Sequence, residues 1–152
     1  MKVHFIDVGQ GDSILIQVND KNMLIDCGPR EGKDNLFNYL NKLNIKTLDY
    51  VIATHPHADH IGNMADIINK YDVKKFYSPK VQTSTKTYEK MVAMQQSQLE
   101  AIPGVGKAKA KALFLHFKSI DKIRKATKEE LCAVKGINPP LADKILQWFE
   151  EN

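Results

Sequence analysis

The stretch Thr54-His55-Pro56-His57-Ala58-Asp59-His60 constrains this chain more than any other. It follows the apolar run Tyr50-Val51-Ile52-Ala53 and precedes Ile61-Gly62-Asn63. A short apolar run ahead of a polar loop reads as a buried strand, and the segment beyond it reads as a helix. Three imidazoles and a carboxylate therefore fall within six residues at a strand-to-helix junction. A loop there can turn several side chains onto one point, and imidazole with carboxylate suits zinc or a similar divalent ion.

The segments around this loop alternate between the two regular periods. Val3–Val8, Ser13–Val18 and Asn22–Asp26 read as strands, separated by turns at Gly9–Asp12 and Asn19–Lys21. Asp34 is placed as the N-cap of a helix over Asn35–Leu43, with Leu36, Phe37, Leu40 and Leu43 on one face. Leu48–Ala53 is a strand, Gly62–Tyr71 a helix with Met64, Ile67 and Ile68 inward, and Val73–Tyr77 a further strand. Ser78–Thr87 is polar and irregular in pattern, and Tyr88–Gln98 is helical. Strands interleaved with helices imply an α/β arrangement.

From Leu99 the strand signals stop and an internal repeat begins. Leu99–Gly106 aligns with Leu131–Asn138, and Ala110, Leu113 and Phe117 align with Ala142, Ile145 and Phe149, always at an offset of 32. Two copies of one supersecondary unit, each a helix, a tight glycine turn and a second helix, account for this pattern. Leu113, Phe114, Phe117, Leu131, Ile145 and Leu146 are its expected core, with Trp148 and Phe149 also read as core. Charge is uneven as well. Residues 98–128 hold eight basic and two acidic residues, whereas 129–152 hold two and five. A basic segment of that kind points to a polyanion. The expected division is 1–95 and 96–152.

The His-x-His-x-Asp-His motif, together with Asp7-Val8-Gly9-Gln10-Gly11-Asp12-Ser13 and Leu24-Ile25-Asp26-Cys27-Gly28, resembles the metallo-β-lactamase superfamily. Within it, Asp7–Ser13 looks most like the metallo-hydrolase domain of ComEC-type DNA-uptake channels. The resemblance covers roughly residues 1–93 and implies the first α/β half of an αββα fold. It further implies that His55 and His57 hold one metal, zinc or manganese, and that Asp59 and His60 hold a second. Asp59 would orient the attacking water, and Asp26 would orient a ligating imidazole from behind. Asp7 and Asp12 read equally well as turn-formers. The family's later half supplies a further His, a bridging Asp and a last His, and the resemblance stops short of those positions. His116 lies in the repeat, and His4 is read as packed. A catalytic zinc uses three protein ligands, so four local ones serve one such ion and not two. The missing half also implies an exposed apolar sheet face, covered by a homodimer partner or by the C-terminal helices, or else a half-domain that is only marginally folded.

Pro103-Gly104-Val105-Gly106-Lys107, with its second copy, resembles a helix-hairpin-helix motif, and the doubled form looks like the tandem C-terminal domain of UvrC-type excision-repair nucleases. That resemblance covers about residues 97–150 and implies a small all-α domain that grips double-stranded or junction DNA by its backbone. Glycine turns bring amide N–H groups to a helix N-terminus, where they and the helix dipole suit a phosphate. The implied DNA-binding residues are Gly104, Val105, Gly106, Lys107, Lys109, Lys111, Arg124, Lys125, Gly136, Ile137 and Asn138. Asn138-Pro139-Pro140 replaces Gly106-Lys107-Ala108 in the second copy, so that turn carries fewer donors and less charge.

No run of about 18 apolar residues exists, and Asp7 stands where a signal peptide has its apolar core, so no membrane partner and a cytoplasmic location are expected. Two cysteines, Cys27 and Cys132, are too few for a disulfide framework and read as free thiols. Three functional readings follow: a DNA-binding protein carrying a metallo-hydrolase-like domain, with a role in DNA uptake, processing or repair; a metal-dependent phosphodiesterase or nuclease acting through His55, His57, Asp59 and His60; or a truncated or artificially joined chain without activity. The first is preferred.

Overall fold

The structure is a computed structural model that describes residues 1–78 and 83–151. It divides into two compact units, Met1–Val92 and Ala93–Asn152. Among the described residues no helix is long and apolar enough to cross a membrane. Residues 79–82, part of the polar stretch expected to be irregular, lie outside the described residues.

The first unit is built on a five-stranded sheet in the order β1 (Lys2–Phe5), β2 (Ile14–Val18), β3 (Lys21–Ile25), β4 (Thr47–Ile52) and β5 (Asp72–Tyr77). The first three strands form antiparallel pairs. Asn19 and Asp20 join β2 to β3 with φ of 46° and 62°, as a two-residue hairpin of right-handed twist requires. The β3/β4 and β4/β5 pairs are parallel. Their crossovers carry α1 (Lys33–Lys42) and the pair α2 (Ala58–Ile61) and α3 (Met64–Lys70).

Alternation along the strands decides what is buried. His4 opposes Leu15, and Leu15 opposes Leu24. Leu15 and Leu24 are fully buried with Leu36, Leu40, Met64 and Ile67 of the helices. His4 donates or accepts at Tyr39 of α1 and at Gln17, 3.0 and 3.1 Å away, which fixes α1 over this face and makes His4 a packing residue. On the opposite parity Val3, Phe5, Val18 and Tyr77 are exposed, Phe5 by 79%. The exposed apolar face expected from the sequence is therefore real for Phe5 and Val18, but Ile6 and Val8 are buried.

Two helix expectations shift. The N-cap of α1 is Gly32, and Asp34 lies inside the first turn, where its carboxylate faces the positive end of the helix dipole. The helix foreseen over Gly62–Tyr71 forms as α3, starting two residues later at Met64, and the separate short α2 precedes it across Gly62-Asn63. Asn63 is fully buried, and its amide group donates to the carbonyl oxygens of Cys27 and Pro29 at 3.0 and 2.6 Å. Tying that side chain to the loop after β3 takes the backbone out of one continuous helix.

In the second unit α5 (Lys107–Phe117), α6 (Ile120–Arg124), α7 (Lys128–Cys132) and α8 (Pro139–Glu151) follow α4 (Lys86–Glu100), the helix in which the division falls. The 32-residue offset recurs in the structure. Gly104 and Gly136 are left-handed, φ 92° and 89°. Val105 N–H donates to Ile102 O and Ile137 N–H donates to Val134 O, at 2.9 and 3.0 Å. Leu99, Ile102, Ala110 and Leu113 are buried, as are Leu131, Val134, Ala142 and Ile145. Phe149 is buried too, while Phe117, Leu146 and Trp148 are half-buried. Thr127 and Glu130 close a capping box on α7, and Ser119 caps α6.

Candidate functional site

The parallel register sets the His-rich loop beside the end of β3. Ile25 faces Ile52, so Asp26 comes level with the residues that leave β4. Its N–H donates to Ile52 O at 2.8 Å. Asp26 is 2% exposed and left-handed, φ 55°, a conformation that Asp tolerates better than most residues. Its carboxylate collects three donors. Thr54 N–H reaches Oδ1 at 2.8 Å, the Thr54 hydroxyl reaches Oδ2, and His60 Nδ1 reaches Oδ2, also at 2.8 Å. Ser13 Oγ donates to the Asp26 carbonyl at 3.2 Å.

This fixes His60. A carboxylate only accepts, so Nδ1 carries the proton and Nε2 of the neutral ring keeps its lone pair. The bond to Asp26, opposed by partial burial and aided by the nearby Asp59 and Asp12 carboxylates, holds the imidazole above the ordinary histidine value. Asp59 Oδ2 lies 3.8 Å from His60 Nε2, and Asp12 Oδ2 lies 3.9 Å from Nδ1. Asp7 accepts from Gly9 N–H at 3.1 Å, the turn-forming role. The loop around Asp12 presses on the same place: a Cβ on Gly11 would stand 2.2 Å from Asp59 O, so only glycine fits there. Asp59 also lines an open cleft of about 500 Å³ with Gln10, Glu31 and Asn35. Cys27, behind the loop, donates to His60 O at 3.3 Å, and burial pushes its thiol well up.

His55 and His57 meet directly. Nε2 of the first and Nδ1 of the second are 2.9 Å apart, and the rings cross at 83°. The His55 ring also stands 5.5 Å from that of His60. Two nitrogens on one tetrahedral zinc sit about 3.3 Å apart with the ion between them. A 2.9 Å contact is a hydrogen bond between the rings, so one of the two nitrogens carries a proton and offers no lone pair to an ion. Among the described residues no group of three or more His, Cys, Asp or Glu is arranged to hold a metal. His55, His57, Asp59 and His60 are thus gathered on one loop, yet as placed they do not fit the zinc or manganese that the motif implied.

The second unit presents a different surface. α5 begins at Lys107 with Gly106 as N-cap and no side chain capping it; the Lys109 N–H turns back to Gly106 O at 3.0 Å, which leaves the amides of Lys107 and Ala108 as the donors without a side-chain cap. Lys107 and Lys111 are exposed, one helical turn apart on the same face. Lys109 is half-buried, and its ammonium donates to Gly104 O at 2.9 Å. The second turn is closed on itself. Asn138 Oδ1 accepts from Leu141 N–H at 3.1 Å, and Pro139 and Pro140 have no N–H to offer. Val105 and Ile137, assigned to the interface from sequence, bury their side chains and spend their amides within the turns. Arg124 lies over the Phe149 ring at 5.4 Å, and Lys125 pairs with Asp121 at 2.9 Å. Sequence reasoning missed Thr54 and Asn63. Thr54 was legible as the residue before His55, two past the end of β4 and beside Asp26, whereas the Asn63 contacts depend on the path of a loop and carry no local signal.

A mixed sheet whose strand ends carry this His-x-His-x-Asp-His loop defines an α/β fold of metallo-hydrolase type. The chain belongs to the metallo-beta-lactamase superfamily, whose family model matches residues 6–141. A 56-residue stretch is 54% identical to UvrABC system protein C of Alkaliphilus oremlandii, covering 37% of this chain and 9% of that protein. A 58-residue stretch is 47% identical to the protein of the same name from Methanococcoides burtonii, covering 38% and 10%. The chain thus spans about a tenth of the length of these curated relatives. The solved metallo-beta-lactamase SMB-1, bound to 2-mercaptoethanesulfonate, is similar over 48% of this chain and 29% of its own, with 19% identity and a TM-score of 0.43.

Proposed function

We propose that this chain is a DNA-binding protein of DNA processing or repair, in which a tandem helix-hairpin-helix module over residues 96–152 holds the sugar-phosphate backbone. The observation that carries the reading is the uncapped N-terminus of α5 behind the Pro103–Gly106 turn, flanked by the exposed Lys107 and Lys111. Amide donors, a helix dipole and two ammonium groups suit one phosphate oxygen cluster and read no base edge. The length and identity of the stretch shared with UvrABC system protein C support the same reading. The first turn does most of the gripping, because the second has lost donors to Pro139 and Pro140 and is capped by Asn138. The N-terminal unit is an auxiliary fold, and no hydrolytic step is assigned to His55, His57, Asp59 and His60.

The test is a titration of two duplexes of unrelated sequence from 50 to 300 mM salt. Affinity should fall steeply with salt and match for the two sequences, and Lys107→Glu should weaken both by roughly tenfold. Absence of binding at the lowest salt, or clear preference between the duplexes, would refute backbone recognition.

A further inference from the structure

We infer that Lys109 makes no contact with the phosphate backbone and instead positions the donors that do, by tying the two glycine turns together. This rests on the DNA-binding reading above. Lys107, Lys109 and Lys111 look alike in the sequence, but a helix advances about 100° per residue, so Lys107 and Lys111 share one face and Lys109 points to the other side. Burial follows the same division: Lys109 is half-buried and its two neighbours are exposed. Both ends of its side chain are engaged. Nζ donates to Gly104 O at 2.9 Å, in the first turn. A Cβ built on Gly136 would stand 3.8 Å from Lys109 Cγ, so the stem runs close beside the second turn. Gly104 and Gly136 are the equivalent left-handed residues of the two copies, and one side chain therefore spans both.

The physical effect is twofold. The Gly104 carbonyl lies two residues before the Gly106 N-cap, and its negative end opposes an arriving phosphate; the ammonium compensates it. The stem holds the second turn at a fixed distance from the first, which keeps the amides of α5 aimed before any ligand arrives. An ammonium held at Gly104 O, on the helix side away from Lys107 and Lys111, is placed to brace the turn and not to meet the phosphate those two face.

Salt dependence separates the roles. Binding of a duplex to the full chain is measured from 50 to 300 mM salt for the parent, Lys107→Met and Lys109→Met. Lys107→Met should lower the slope of log K against log salt by about 0.9, the loss of one phosphate contact. Lys109→Met should keep the parent slope and weaken binding roughly fivefold at every salt, with Lys109→Arg recovering most of the loss because it keeps a donor for Gly104 O. If Lys109→Met does not fold by circular dichroism, Lys109→Gln, a shorter polar side chain, replaces it with the same expectation. A slope reduced as in Lys107→Met would make Lys109 a direct contact and overturn the inference. Unchanged affinity in a folded variant would make it purely structural and overturn it equally. A parent that binds no duplex removes the DNA reading and this inference together, whereas the first two outcomes remove this inference alone.

Discussion

Asp26→Asn tests how the His-rich loop is held. The native carboxylate accepts from Thr54 N–H, the Thr54 hydroxyl and His60 Nδ1. Hydrogen bonds to a charged group contribute about 1.5–3 kcal/mol each, so three would sum to about 5–9 kcal/mol if all were dry. Thr54 is exposed and His60 half-buried, so water replaces part of each, and removing the whole group would cost about 3–4 kcal/mol. Asparagine keeps an acceptor for Thr54 N–H and tolerates the left-handed backbone, which leaves a loss of about 2 kcal/mol. The effect should also depend on pH. Because His60 is held above its ordinary value, its protonated form is favoured in the folded state. That stabilisation is full below pH ~6.5 and disappears as pH rises through the folded-state value. Urea unfolding followed by amide resonances of Leu24, Ile25 and Val51 should show the parent losing stability between pH 6 and 9. Asp26→Asn should be weaker at pH 6 by about 2 kcal/mol, with the gap narrowing toward pH 9. Equal midpoints at pH 6, or a gap that widens with pH, would refute the reasoning.

Gly104→Ala forces a side chain into φ 92° and places its Cβ 3.1 Å from Leu141 Cδ1, so it should destabilise the second unit by about 2 kcal/mol in thermal unfolding followed by Trp148 fluorescence. Gly106→Ala is its control: nothing stands within 4 Å of the added Cβ, and a loss under about 1 kcal/mol is expected; equal losses would refute the backbone argument. Elemental analysis of the dialysed protein should find well under one zinc or manganese per chain, since His55 and His57 close on each other. Two ions per chain would show that the loop opens around metal.

Much of the fold was legible because its signals are local. Apolar alternation placed all five strands within a few residues, and the 32-residue offset reappears as matched hydrogen bonds and matched left-handed glycines. The loop residues 55–60 were legible as a group because they are adjacent in the chain. What escaped depends on three dimensions. Lys107, Lys109 and Lys111 are chemically identical, and only the helix phase together with the nearness of Gly136 tells them apart. Val105 and Ile137 sit within glycine turns that suggest free amides, but each turn consumes those amides to close itself. The N-cap of α1 was misplaced because Asp34 has the right chemistry, while the chain folds into a short 3₁₀ turn at Arg30–Gly32 just before it.

The outermost strand has a consequence for handling the protein. β1 is four residues long and among the described residues pairs on one side only, so its outer N–H and C=O groups stand in a row beside exposed Val3 and Phe5. A bare edge next to apolar side chains is a template on which another strand can add, and native edges are protected by brevity and by charge. Here brevity is present, and Lys2 supplies the only charge on the strand. An added charge at Phe5 would therefore raise the concentration at which the protein stays dispersed.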